Sequence, residues 1–304
     1  MTSKLDLFYP FKTVKAEGEK WKNFPSCVLF NIQEQNLDRI KREKIYPDDV
    51  FLCGFQRSGT TMMQEIIWLI LNDFDFEKSK TELKDLRFPT LESIEMVEKV
   101  YNNKIKINMD SMQRPRTIKT HLPVQLLPDE FWISRPKIIF LTRDIRDVAI
   151  SCFNVGLKLL AYKSSMEEFL QEFLDDKLPL CPYREHTLDY MNIPDYPNRL
   201  NLTYEWVNAN IDEAILKIAK FLGKEVSDEN LKLLKDHVEI ANMKKIDTIN
   251  RREFFENITD KSKPEEFIRK GKVENYKEEM PQEFHEKFDA WMEEIKKMKS
   301  SFEL

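Results

Sequence analysis

Six glycines occur in 304 residues, and two of them bracket Gly54-Phe-Gln-Arg-Ser-Gly59-Thr-Thr61, directly after the apolar run Val50 to Phe55 and before an apolar helical stretch. A strand, a tight turn and a helix N-terminus gather backbone N–H groups around one point, where the helix dipole also favours negative charge. Ser58, Thr60 and Thr61 add hydroxyl donors. The spacing is that of the nucleotide-binding loop G-x-x-x-x-G-K-[ST], with Thr60 where the lysine would stand. That lysine reaches the β and γ phosphates, so its absence argues against ATP or GTP hydrolysis. It favours a nucleotide with a single 5′-phosphoryl group in the loop. Taken alone, the string also fits a capped strand-to-helix turn.

Three further runs read as buried strands: Arg116 to Thr120, Lys137 to Thr142 and Leu200 to Tyr204. Helical patterns separate them. The clearest runs from Asp212 to Leu222, where Ile215, Ile218 and Leu222 recur at helical spacing and Gly223 supplies a stop. Strands alternating with helices predict an α/β fold, a mainly parallel sheet flanked by helices, with ligands beyond the carboxyl ends of the strands. No repeat or Pro/Gly/Ser-rich linker divides the chain, which is expected to form one domain over residues 1–304. Polar stretches at 72–87 and 250–266 read as long surface loops or exposed helices.

The formal charge of −5 supplies no overall basic field for nucleic acid or an anionic membrane, so any anion site must be local. The first residues lack the apolar core of a signal peptide, and the longest apolar run, Ile66 to Leu71, is too short to span a bilayer. A cytoplasmic protein is expected. Cys27, Cys53, Cys152 and Cys181 form no C-x-x-C pair and the four histidines no close pair, so neither a disulfide framework nor a metal site is indicated.

Three other segments carry chemistry. Lys119-Thr120-His121-Leu-Pro123 ends the second strand, and a histidine there can serve as a base or as a structural hydrogen-bonder. Arg143 ends the third strand and Ser151 follows eight residues later on a helix. The two can face one phosphate, although Arg143 could instead pair with Asp144 or Asp147. Phe267-Ile-Arg269-Lys270-Gly271-Lys sets adjacent cations beside the last glycine and also fits a solvated basic run.

In this order the four segments resemble the cytosolic sulfotransferase family, whose loop reads proline-lysine-serine-glycine-threonine-threonine-tryptophan. The likeness runs from about Phe30 to Phe288. It implies transfer of a sulfonate from 3′-phosphoadenosine 5′-phosphosulfate (PAPS) to a small acceptor, releasing PAP, without a metal. Arg57, Ser58, Gly59, Thr60 and Thr61 would hold the 5′ end. Arg143, Ser151, Arg269, Lys270 and Gly271 would hold the 3′-phosphate, and Met62, Tyr204 and Met243 would meet the adenine. His121 would be the general base and Lys119 would neutralise the sulfonate, with Lys119, Thr120 and His121 touching the acceptor. Three positions depart from the family: Arg57 for lysine, Met62 for tryptophan and Val238 for threonine.

The family's C-terminal dimer motif aligns with Lys277 to Glu286, where Pro281-Gln282 replace threonine-valine. Proline removes a backbone donor, so a monomer or a different homodimer is expected. The acceptor pocket would come from loops that include the segments near 8–30, 82–101 and 154–190. Their Phe24, Phe88, Phe153 and Tyr162 suit a phenol, steroid, retinoid or biogenic amine equally. The alternatives are a small-molecule kinase, a non-catalytic binder of PAP or apolar hormones, and a dehydratase working by sulfonation and elimination.

Overall fold

A computed structural model describes residues 4–159, 163–258 and 267–302. Tyr162 and residues 259–266 lie outside the described residues. A small antiparallel pair, β1 (Lys12–Val14) and β2 (Cys27–Leu29), precedes the main sheet. The main sheet holds β3 (Val50–Cys53), β4 (Thr117–Thr120), β5 (Lys137–Thr142) and β6 (Arg199–Thr203), ordered β4-β3-β5-β6 with every neighbour parallel. From β3 the chain reaches β4 on one side and β5 on the other. A crevice therefore opens beyond the carboxyl end of β3, the position where such sheets bind ligands.

Alternation along the strands divides the core between the two faces. Val50, Leu52, Ile139, Leu141 and Leu202 face one apolar cluster; Phe51, Cys53, Ile118, Ile138 and Phe140 face the other. The first face is covered by α1 (Thr60–Leu71), the second by α2 (Ile145–Leu159) and α3 (Tyr183–Met191). Two later helices, α4 (Ile211–Leu222) and α5 (Asp228–Val238), pack beside α1, and the C-terminal α6 (Gln282–Ile295) joins α2. The expected stop of α4 is present: Gly223 takes φ +74, a left-handed turn that glycine adopts without steric cost. A third cluster, including Phe8, Ile32, Met96 and Phe254, lies apart from the sheet.

Two readings of the sequence need correction. Segment 72–87 forms short helices at Phe76–Thr81 and Lys84–Arg87, but Ser79, Lys84, Asp85 and Arg87 are buried. Their polarity is absorbed by partners: Arg87 pairs with Glu65, Ser79 Oγ donates to Glu65 at 2.7 Å, and Lys84 Nζ donates to Gln64 at 3.2 Å. In segment 250–266 the described part is likewise partly internal, with Asn250, Phe254 and Phe255 buried. All four cysteines are buried free thiols.

Candidate active site

The loop between β3 and α1 is shaped by contacts that exclude side chains. A Cβ on Gly54 would lie 2.5 Å from Leu141 O, and one on Gly59 would lie 2.3 Å from the Tyr204 ring. Gly59 also takes φ +95. Arg57 takes φ +67, an uncommon state for a residue with a long side chain and one found at functional sites. The Ser58 hydroxyl is buried with no partner among the described residues, an orphan donor inside the loop.

His121 leaves the end of β4, next to β3. Its Nδ1 hydrogen-bonds to Gly54 O, and because a carbonyl only accepts, Nδ1 carries the proton. Nε2 of the neutral ring is then an acceptor. Burial, then the charge of Lys119, holds the His121 imidazole well below its ordinary value. Its backbone is fixed on both sides: His121 N–H donates to Glu92 at 2.9 Å, and His186 Nε2 of α3 donates to His121 O at 3.1 Å. Lys119 is pushed well below the usual lysine range by burial and then by Lys84 and Arg251. An anion arriving beside it would raise its proton affinity.

At the other end of the cleft, α2 begins two residues after Arg143. Arg143 lies over the Tyr204 ring at 4.5 Å and donates to Arg57 O at 3.2 Å, Lys272 O at 3.0 Å and Asp147 at 3.3 Å. The carboxylate pairing open to it is therefore with Asp147, while Asp144 pairs with Arg146. Asp147 in turn accepts from the backbone of Glu274 and Tyr276, tying the late loop to α2. Arg57 reaches across the cleft: Nε donates to Ser151 Oγ at 3.0 Å, a second nitrogen donates to Phe267 O at 3.0 Å, and the guanidinium lies over the Phe267 ring. Burial lowers it to about 10, still a cation at neutral pH. Arg269 and Lys270 both donate to Glu279, at 2.7 and 2.6 Å. Tyr204 OH donates to Gly271 O at 2.8 Å.

One cleft of about 1250 Å³, its open mouth included, is lined by the expected Arg57, Gly59, Thr60, Thr61, Met62, Lys119, His121, Arg143, Ser151, Tyr204, Met243, Arg269, Lys270 and Gly271. Ser58 lies behind its wall. Thr120 is fully buried, with its hydroxyl donated to Glu92, and does not line the cleft. Val238 lines a neighbouring hollow instead. Phe24, Phe88 and Phe153 are core residues, and the apolar lining comes from Phe30, Met96, Val155 and Leu180 of the same segments. Glu92, Arg251 and Glu279 were not foreseen. None of the three left a trace in the sequence, because each stands among other polar residues and its partners lie elsewhere in the chain.

Among the described residues, no three His, Cys, Asp or Glu side chains gather as a metal site. The residues do fit a nucleotide with phosphates at both ends. The left-handed loop with Arg57, Thr60 and Thr61 stands at one end, the orphan Ser58 hydroxyl behind it, and three cations, Arg143, Arg269 and Lys270, at the other.

Comparison with known proteins agrees with this geometry. The sulfotransferase domain model matches residues 47–302. Luciferin sulfotransferase of Photinus pyralis is 32% identical over 272 residues, covering 84% of this chain and 73% of that protein. Sulfotransferase 1E1 of Bos taurus is 34% identical, covering 90% and 91%. The crystal structure of retinol dehydratase with retinol and PAP superposes with a TM-score of 0.79 at 27% identity, covering 96% of this chain and 98% of that one. Mouse sulfotransferase SULT7A1 complexed with PAP shares the fold, with a TM-score of 0.68 at 20% identity. Matched by the family model over most of its length and by relatives nearly end to end, this chain belongs to the sulfotransferase family and is a PAPS-dependent sulfotransferase.

Proposed function

We propose that the enzyme transfers the sulfonate of PAPS to a hydroxyl or amine of a small, largely apolar acceptor in the cytoplasm, with His121 as general base. The observation that supports this reading most directly is the hydrogen bond from His121 Nδ1–H to Gly54 O. It fixes the tautomer in which Nε2 is free to take a proton, and does so from the first residue of the phosphate loop. PAPS supplies the activated sulfonate and leaves as PAP. Within the cleft, His121 Nε2 accepts the acceptor's proton during attack, Lys119 offsets charge on the sulfonate, and the amides and hydroxyls of residues 58–61 receive the 5′-phosphate. Arg57 serves the leaving phosphate by turning from Ser151, while Arg143, Ser151, Arg269 and Lys270 hold the 3′-phosphate. The adenine lies against Tyr204, Met62 and Met243, and Thr120 acts through its hold on Glu92.

His121→Ala is expected to lower kcat by about 10² or more while leaving PAP affinity intact, as measured by PAPS turnover and by PAP-induced thermal stabilisation. Normal turnover would refute the base, and loss of PAP binding would make His121 structural. A second reading is favoured by the likeness to retinol dehydratase: sulfonation of an allylic alcohol followed by elimination. Product mass separates the two, since the sulfate ester retains the sulfonate and the elimination product has lost water.

A further inference from the structure

Arg251 brings a cation to the lining of the cleft, and the Phe254 ring beneath it belongs to the same apolar cluster as Phe30 and Met96, which also line it. Its side chain is only 10% exposed, and it takes φ +54, a backbone state uncommon for a non-glycine residue. One nitrogen donates to Asp85 at 3.1 Å, and the guanidinium lies over the Phe254 ring at 4.1 Å. Nε is buried and has no acceptor among the described residues. Asp85 does not cancel the charge, because Lys84, also buried, faces the same carboxylate. Glu92 makes no ion pair with Arg251 among the described residues; its oxygens accept from the His121 amide and the Thr120 hydroxyl. Arg251, Lys84 and Lys119 thus face one carboxylate, and Arg251, which lines the cleft with Lys119, has a buried Nε with no acceptor among the described residues. A carboxylate placed against the guanidinium would offset this concentration of positive charge, whereas an apolar acceptor would leave it unpaired.

Resting on the sulfotransferase reading above, we infer that the acceptor carries an acidic group, a carboxylate in the first instance, and that Arg251 is the residue that reads it. The acceptor would be an amphipathic hydroxy acid, its nucleophilic hydroxyl at His121, its apolar body against Phe30 and Met96, and its carboxylate on the Arg251 guanidinium. Arginine suits this role through its planar set of donors.

The test compares kcat/KM with PAPS for matched pairs, para-hydroxyphenylacetate and 6-hydroxy-2-naphthoate, each beside its methyl ester. The acid is expected to exceed its ester by about tenfold or more, the range of a charge-assisted hydrogen bond. Arg251→Gln should bring the ratio close to one, and Arg251→Lys should retain part of it. An equal or reversed ratio in the unmodified enzyme overturns the inference while leaving sulfonate transfer intact. Should no pair turn over, thermal shifts of the PAP-saturated protein decide: the acid must stabilise more than the ester, and equal or absent shifts overturn the inference. Failure of the sulfotransferase reading itself would be seen separately, as absence of any PAP-induced shift.

Discussion

At the scale of single residues, the proposed catalysis depends on the protonation of His121 beside Lys119. Burial and the Lys119 charge both lower the His121 imidazole, so the free enzyme keeps its base unprotonated as pH falls through the ordinary histidine value. The acid limb of kcat/KM is therefore expected below pH 6.5, the ordinary value, and a limb at or above it would contradict a buried neutral imidazole. Replacing Lys119 by Met removes a positive neighbour. The limb should then move upward in a pH–rate profile, even though turnover falls. Arg143 could be found in the sequence because it follows the plain apolar run of β5, and Lys119 and His121 because they stand at the carboxyl end of the short β4. Glu92 and Arg251 could not. Their significance comes from partners far along the chain, His121 for one and Asp85 for the other, and a lone carboxylate or guanidinium has no local periodicity.

At the scale of elements, one face of α3 pins the ends of two strands. Tyr183 OH donates to Arg143 O, His186 to His121 O and Tyr190 OH to Leu122 O, three residues spaced one helical turn apart. Sequence reasoning placed this helix within an acceptor segment, because its polar face gives no sign of what it touches. The late loop shows a second device. Burial works against the charged form of Glu279, but hydrogen bonds from Lys270 and Arg269 prevail and hold its carboxyl at about 2. A carboxyl depressed below its ordinary 4.5 is a full anion above that value and loses its partners only as pH falls through about 2. The latch is thus closed at every working pH, and only an anion can compete with it. Glu279→Gln frees both cations for the 3′-phosphate and is expected to tighten PAP binding by about 1 kcal/mol, about fivefold in Kd. Calorimetric titration with PAP checks this; weaker binding would mean that Glu279 holds the cations in place for the ligand.

Over the whole molecule, stability depends on polar groups that the sequence placed on the surface. Glu65 is fully buried and meets Arg87, Ser79 and His237, whose hydrogen bonds and charge outweigh burial and keep its carboxyl below the ordinary range. Arg87→Met would strand that carboxylate, and a loss of about 3–5 kcal/mol is expected in denaturant unfolding, with little change if the pair were solvated. The hydrophobic pattern alone determined that this chain would fold as strand, loop and helix around a parallel sheet, and the spacing of Gly54 and Gly59 determined the tight turn that is proposed to receive an anion. Both are local consequences of backbone geometry and of burying apolar side chains at a fixed period. Only the tertiary structure decided which way the cations turn: Arg57 to Ser151, Arg269 and Lys270 to Glu279, and Arg251 to Asp85 at the acceptor end. Those choices depend on which acceptors the fold brings beside each cation, and a cation that is buried must find one.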